Sequence, residues 1–403
     1  MNDIQPSAKQ DTRISTWIAF SLLPLSGFAT DIYVPSMPSM ATQLATSELE
    51  VQSTLTLFLV SYGLFQIFIG SFLDSFGRFR IGLIAMFLFS VASFLIAVSV
   101  KIEFIQFMRV IQGITAATVI VAKRAYFVDV YSGKKLKHYL SLFTIIWSVG
   151  PITAPFIGGY LQQFFGWQSN FYLLGGLVLI CAVLDLIFGK ETLREPVKLS
   201  VQNMLRIYGT MLKTKSFIVG IAILSFTYSI VMMYNLTGSF IIENTFQMNS
   251  VTSGYCSLAL GFAWLFGGLI SKRTISRPLH NKLNINISIQ FGISICMLVI
   301  SILMPGIITL IAFAFIIQMN TGYTYNNLFI YCLSRFPSYA AMSGGFTGGV
   351  VYIFVSVITF AIINIFPPEH MFNLSLANLC LTIASAIAIL YLSKLLTTIN
   401  PKP

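Results

Sequence analysis

Apolar stretches of about 20 residues recur along the whole chain of 403 residues, and no other feature narrows the possible folds as far. A helix rising 1.5 Å per residue needs about 20 residues to cross a hydrocarbon core of about 30 Å. Inside that core every backbone N–H and C=O must find a partner within the chain, so only helices and closed barrels can span it. Alternating strands of about ten residues are absent, which argues against a barrel. Composition points the same way, with 9% charged and 56% hydrophobic residues, where a soluble domain has about a quarter of its residues charged. The expected fold is an all-α integral membrane protein.

Windows of about 19 residues place spans at 17–38, 52–73, 81–100, 104–123, 139–160 and 169–189. A second set falls at 216–236, 251–271, 283–303, 307–328, 342–363 and 371–393. The first apolar run, from Trp17, lacks the short core and small-residue cleavage site of a secretory signal, so it is read as the first span. With a cytoplasmic N-terminus, 22 of the 24 Lys and Arg fall on the inner side, Lys101 and Arg109 being the exceptions. Lys123 is counted with the inner cluster that runs to Lys137. This bias predicts the orientation, with both termini cytoplasmic, and explains the net charge of +11 without a nucleic-acid partner. The five cysteines lie singly inside apolar runs, so neither a metal site nor a disulfide framework is expected, and no cofactor.

The twelve spans divide into two six-helix bundles, 1–189 and 216–403, joined by an inner segment at 190–215. Val201, Met204, Leu205, Tyr208, Met211 and Leu212 follow a helical period there, beside Arg206, Lys213 and Lys215, and suit an amphipathic helix lying at the membrane interface. A basic tether that only fixes topology would show much the same composition. The halves resemble repeats: the second span ends at GSFLDSFGRFR (70–80) and the eighth at GGLISKRTISR (267–277), an offset just under about 200 residues.

GSFLDSFGRFR resembles the loop motif after the second span of the major facilitator superfamily. The resemblance implies close helix approach at Gly70, a helix N-terminus or basic partner for Asp74, and a tight cationic turn at Gly77, Arg78 and Arg80. FMRVIQGITAA (107–117) resembles the superfamily's fourth-span motif, with Arg109, Gln112 and Gly113 in the matching places. WSVGPITAPFIGGYL (147–161) is similar to the fifth-span signature of its proton-coupled drug antiporters, with Gly150, Pro151, Pro155, Gly158 and Gly159 present and Ala154 standing where a glycine is usual. TDIYVPSMP (30–38), KRAYFVDVY (123–131) and ETL (191–193) resemble one branch, the bicyclomycin and chloramphenicol resistance (Bcr/CflA) group. Two positions depart from that pattern. Gln168 stands where the family usually shows arginine, and the loop after the eighth span has no acid matching Asp74, so a latch there should be asymmetric.

Asp31 lies 14 residues from Trp17, about 21 Å along the helix, which leaves roughly 9 Å to the outer edge. Arg109, five residues into the fourth span, lies about 7 to 8 Å below that edge. A solitary charge at such depth costs at least about 2.5 kcal/mol, so mutual pairing in an aqueous cavity is the economical expectation. Asp31 would then exchange a proton, and Arg109 would tune that exchange or hold an anionic substrate. Alternatively, Asp31 caps or hydrogen-bonds backbone freed by Pro35 and Pro38, which lack an N–H, and Arg109 locks the loop or span one in position. Tyr33, Gln66, Gln112, Tyr234, Asn235, Tyr323 and Asn326 are candidate substrate contacts, although polar residues in spans more often bond between helices. GGFTGGV (344–350) reads as a packing face of span eleven, with a hinge as the alternative.

The resemblance implies a bacterial inner-membrane, proton-coupled antiporter, monomeric and in contact with membrane lipid. It would export small organic molecules, drugs or metabolites such as siderophores, from a site between the halves. An importer working by symport is the alternative. No nucleotide-binding glycine loop or metal cluster suggests an enzyme.

Overall fold

In the structure, a computed structural model that describes residues 6–193, 196, 200–336, 339–365, 367 and 370–399, every regular element is helical. Span one comprises α1 (Pro6–Leu22), α2 (Leu25–Asp31), a 3-10 turn (Val34–Ser36) and α3 (Met37–Gln43). The rest of the first half is α4 (Glu48–Phe76), α5 (Phe79–Val98), α6 (Ile102–Val130), α7 (Gly133–Phe165) and α8 (Gln168–Phe188). After α9 (Val201–Lys213) come α10 (Lys215–Phe240) with a π-turn at Ile241–Thr245, α11 (Ser250–Arg273) and α12 (Leu279–Leu303). The last three are α13 (Ile307–Ser334), α14 (Ala340–Ile365) and α15 (Met371–Ile399). Eleven segments among the described residues are long and apolar enough to cross a membrane, and the remaining long helix, α7 with 33 residues, occupies the expected fifth span.

Local sequence explains the boundaries. Ser47 and Glu50 form a reciprocal cap that starts α4, and the Asn249 side chain accepts from Thr252 N–H to start α11. Span one is not the continuous helix expected over 17–38. It breaks at Pro24 and again at Ile32–Tyr33, then continues to Gln43, because Pro24 and Pro35 cannot donate to the helical ladder while Pro38 sits in the first turn of α3, where no donor is needed.

Contacts divide the chain into two units. One is Met1–Tyr33 with Ser39–Ser200, and the other is Val34–Pro38 with Val201–Pro403. In the first, α4 packs along α6, α5 along α6 and α8, and α2 along α7. In the second, α11 packs along α13, α12 along α15, and α10 along α13, α14 and α15. The closest crossing of α4 with α6 falls at Gly113, where a methyl group would lie 2.5 Å from Phe58 O. The α11–α13 crossing falls at two glycines, Gly267, where a methyl group would overlap Met319 O, and Gly322, where it would lie 2.6 Å from Trp264 O. At Gly70 a methyl group would meet only Val121 at 3.9 Å, an ordinary contact, so the close approach expected there belongs to Gly113 instead. Buried Gly348 and Gly349 in α14 fit the expected packing face.

The helix α9 forms where the amphipathic pattern places it, but its apolar residues serve two faces. Met204, Ile207, Tyr208 and Met211 are buried, with the Tyr208 ring 4.7 Å from that of Phe346, whereas Val201, Leu205 and Leu212 are exposed. Lys123, counted with the inner cluster, has a partner that the sequence does not show. It is buried in α6, with its Nζ 2.6 Å from Asp185 Oδ2 in α8, because a buried cation is tolerable when a carboxylate meets it. Of the other cations assigned to the inner side, Arg194, Lys198 and Lys402 lie outside the described residues.

Candidate functional site

Asp31 is the last residue of α2 and is 3% exposed. The elements around it are held by Arg109 of α6, which is fully buried. Arg109 Nη1 donates to Ala29 O at 3.0 Å, two residues before Asp31, and to Gln112 Oε1 at 2.8 Å. Its Nε donates to Thr54 O and its Nη2 to the Tyr33 hydroxyl, both at 3.4 Å. The guanidinium also lies over the rings of Phe58 (4.3 Å) and Tyr33 (4.7 Å), a favourable use of a desolvated cation.

The network ends in satisfied groups. Tyr33 OH pairs with Thr54 Oγ1 at 3.0 Å, and that hydroxyl donates to Val51 O. Gln112 Nε2 donates to Ser93 Oγ at 2.7 Å, and Ser93 in turn to Phe89 O. Gln112 therefore bridges α5 and α6 with both amide atoms committed, which makes it a positioning residue for Arg109 rather than an open substrate contact. Tyr33 is likewise fully buried, its ring 5.4 Å from Phe171, and lies within electrostatic range of both Arg109 and Asp31.

The other side of α2 is covered by α7. A methyl group at Gly158 would overlap the carbonyl oxygen of Ile32, the residue after Asp31. One at Gly150 would lie 2.8 Å from Pro24 O, and the Pro151 ring occupies the space above Gly27. The Gly/Pro face of span five is thus a seat for the broken part of span one. Pro155 and Gly159 are buried on the same helix.

A second cluster forms at the α4–α5 turn. Arg78 Nη2 donates to Asp74 Oδ1 at 2.6 Å, and Nη1 forms an ion pair with Asp129 of α6. The start of α5 is bound by Glu191 rather than Asp74: the backbone N–H groups of Arg78 and Phe79 donate to its carboxylate at 3.0–3.1 Å. Partial burial works against ionised Glu191, but these donors, with Leu193 and Thr192 N–H, outweigh it and hold its pKa below the usual value. Gly77 is required twice over, by its φ of 99° and because a methyl group there would meet Glu191 Oε2 at 2.7 Å. Thr192 Oγ1 donates to Asp129 Oδ2 at 2.8 Å and closes the cluster.

Of the remaining expected contacts, those of the second unit do not converge on one point. Gln66 is buried in α4, its Oε1 without a hydrogen-bond partner. Tyr234 of α10 faces Cys256 and Ser257 at the start of α11, whereas the Tyr323 hydroxyl meets Thr274 Oγ1 at 3.0 Å past its end. Those α11 positions are about 25 Å apart along the helix. Asn326 bonds back to Gly322 O within α13, and Asn235 is half-buried.

Two features of the second unit carried no sequence signal beyond residue type. Half-buried Tyr228, Trp264, Tyr325 and Tyr352, from α10, α11, α13 and α14, form a ring cluster with centroids 5.3–6.0 Å apart. Glu243 sits in the π-turn after α10 with Oε1 buried and unpartnered. Aromatic rings in apolar spans are too common to single out, and Glu243 falls between the expected spans at 216–236 and 251–271, where an acid is unremarkable.

A family profile described as Major Facilitator Superfamily matches residues 19–359. An uncharacterized MFS-type transporter, YdgK of Bacillus subtilis, is 29% identical over 285 residues, covering 68% of this chain and 70% of that protein. A bicyclomycin resistance protein homolog of Haemophilus influenzae is 26% identical over 338 residues, covering 82% and 83%. The multidrug resistance protein MdtL of Shewanella oneidensis is 30% identical over 174 residues, 43% of this chain and 44% of MdtL. Among solved structures, a bacterial homolog of the lysosomal transporter Spinster covers 100% of both chains with a TM-score of 0.72 at 14% identity, a likeness of fold. The chain belongs to the Major Facilitator Superfamily, a family of multi-pass membrane transporters rather than enzymes, and among its relatives are bicyclomycin and multidrug resistance proteins.

Proposed function

We propose that the chain is a proton-coupled antiporter that exports small organic molecules, with Asp31 as the group that takes and releases the proton. The observation that carries this reading is a carboxylate buried inside a span, at the broken end of α2, between the Arg109 network and the Gly/Pro seat of α7. An ionisable side chain is expensive in a span, and one retained there is a functional-site hypothesis by default. Because helix α2 stops at Asp31, a small rearrangement of the turn that follows can change which side its carboxyl communicates with. Proton and substrate then compete for the protein, and the inward proton gradient drives substrate out. Arg109 positions the site through Ala29 and Tyr33.

Within the second unit, the aromatic cluster of Tyr228, Trp264, Tyr325 and Tyr352 supplies flat apolar surface for the organic substrate, with Tyr234 and Asn235 as polar contacts. The Asp74–Arg78–Asp129–Glu191 cluster acts as a latch that opens and closes with the cycle. Both termini lie in the cytoplasm in this reading, which the positive-inside distribution of Lys and Arg supports.

The test uses everted vesicles acidified inside, with a drug panel that includes bicyclomycin. Adding a substrate should discharge the pH gradient as substrate enters the vesicle. Asp31→Asn should abolish this at normal membrane levels, while Glu243→Gln should retain it. Coupling lost only in the Glu243 variant would move the proton site to the second unit, and substrate leaving together with protons would assign symport.

A further inference from the structure

The geometry points to a binding site for an anionic phospholipid in the cleft at the α11–α12 turn of the second unit, the lipid phosphate supplying a negative charge that this turn lacks. The cleft has a volume of about 410 Å³ and lies among α11, α12 and α13. Lys282 lines it and is 8% exposed, yet no carboxylate among the described residues meets its ammonium. A buried cation left in that state is costly unless an anion arrives from outside the chain. Acids are scarce here: residues 201–403 hold ten Lys and Arg but only Glu243 and Glu369 as acids, and neither is in the α11–α12 turn.

Three further groups converge on the same end of the cleft. Arg277 and Asn281 are exposed at its mouth, and α12 starts after Pro278 without a side-chain cap, so its first N–H groups are available to an anion. The polar groups deeper in are already engaged. Asn286 Nδ2 donates to Asn320 O and Thr324 Oγ1, both at 2.9 Å, and Tyr323 pairs with Thr274. The ligand's charge is thereby confined to the Arg277, Asn281 and Lys282 end.

The apolar half of the cleft decides between a lipid and a soluble phosphate. Ile285 and Ile289 follow Asn281 at four-residue intervals along one face of α12, and Ile270 faces them from α11. All three are exposed. A soluble anion would leave this stripe uncovered, whereas a phospholipid lays its acyl chains along it with its phosphate at Lys282. Basic pockets between spans at the membrane surface are suited to such headgroups. The site depends on the chain being a membrane protein and not on the direction or coupling of transport, so a variant that has lost transport should still bind.

The experiment titrates the purified full chain in detergent with phosphatidylglycerol, phosphatidylcholine or sn-glycerol 3-phosphate, and follows bound ligand by native mass spectrometry and by the unfolding temperature. Phosphatidylglycerol should bind and raise that temperature, and the other two should not. Lys282→Met and Arg277→Ala should each weaken phosphatidylglycerol binding about ten-fold, as loss of one charge-assisted contact implies. Lys134→Ala, which removes an exposed cation of the first unit, should leave it unchanged. Arg277, being exposed, keeps the test open if the Lys282 variant does not fold. Equal binding of phosphatidylcholine, equal binding of glycerol phosphate, or full affinity in the Arg277 variant would overturn the assignment.

Discussion

The α4–α5 turn of the first unit and the α11–α12 turn of the second follow the same helix order, yet they treat their cations in opposite ways. In the first, Arg78 is held by Asp74 and Asp129, and Glu191 binds the start of α5. In the second, Arg277 and Lys282 border a cleft with no acid of the described residues at hand. The same contrast runs through the spans. The first unit buries a hydrogen-bonded network around Arg109, and the second gathers aromatic rings around Trp264. A duplicated helical frame fixes where side chains stand, and the residues placed there can differentiate one half for ionic chemistry and the other for an organic molecule.

If that division is right, the largest effect should come from the network. Arg109→Ala strands Gln112 and two backbone carbonyls in a buried site, and should cost about 3–5 kcal/mol of stability as well as transport. Thermal unfolding in detergent measures the first, and vesicle transport the second. A variant with unchanged melting would show that the network does not hold span one.

Next in size is Gly158→Ala, which must push α2 away from α7. Overpacking of this kind should cost about 1–3 kcal/mol and impair transport. The control is Gly176→Ala in α8, where a methyl group meets nothing within 4 Å, so melting should stay within about 0.5 kcal/mol of the parent.

In the second unit, Trp264→Ala should raise the KM for an aromatic substrate about ten-fold, the loss of one good stacking contact, with the proton-to-substrate ratio unchanged. A changed ratio would break the proposed split between a proton half and a substrate half.

The smallest effect is expected at Glu191. Its pKa is depressed in the folded protein, so its contribution is present above the ordinary glutamate value near about 4.3 and is lost as pH falls through the folded value. Glu191→Gln should therefore flatten the acid side of the stability profile while leaving neutral-pH transport within about two-fold, since hydrogen bonds to the start of α5 persist through the amide oxygen.

Some of this was legible before any coordinate. Span positions and the amphipathic α9 follow from hydropathy and period, which are local properties, while the tight turn at Gly77 is what the motif resemblance implies. The partners were not. Lys123 reads as one more basic residue at a span end, and only the packing of α6 on α8 shows it facing Asp185. Glu191 stands 113 residues from the Arg78 amide it accepts from. The motif resemblance implies close approach at Gly70, and only the crossing of α4 with α6 shows it at Gly113.

By itself, the sequence determined that this chain crosses a membrane many times and that Asp31 is the charge most in need of explanation, because burying a carboxylate in hydrocarbon is costly whatever surrounds it. Tertiary structure alone decided what surrounds it. Arg109 reaches span one through Ala29 O and Tyr33, Gly158 seats the Ile32 carbonyl, and the prolines end α2 at Asp31. Those contacts join residues tens of positions apart, and their distances depend on how helices cross, which hydropathy does not encode.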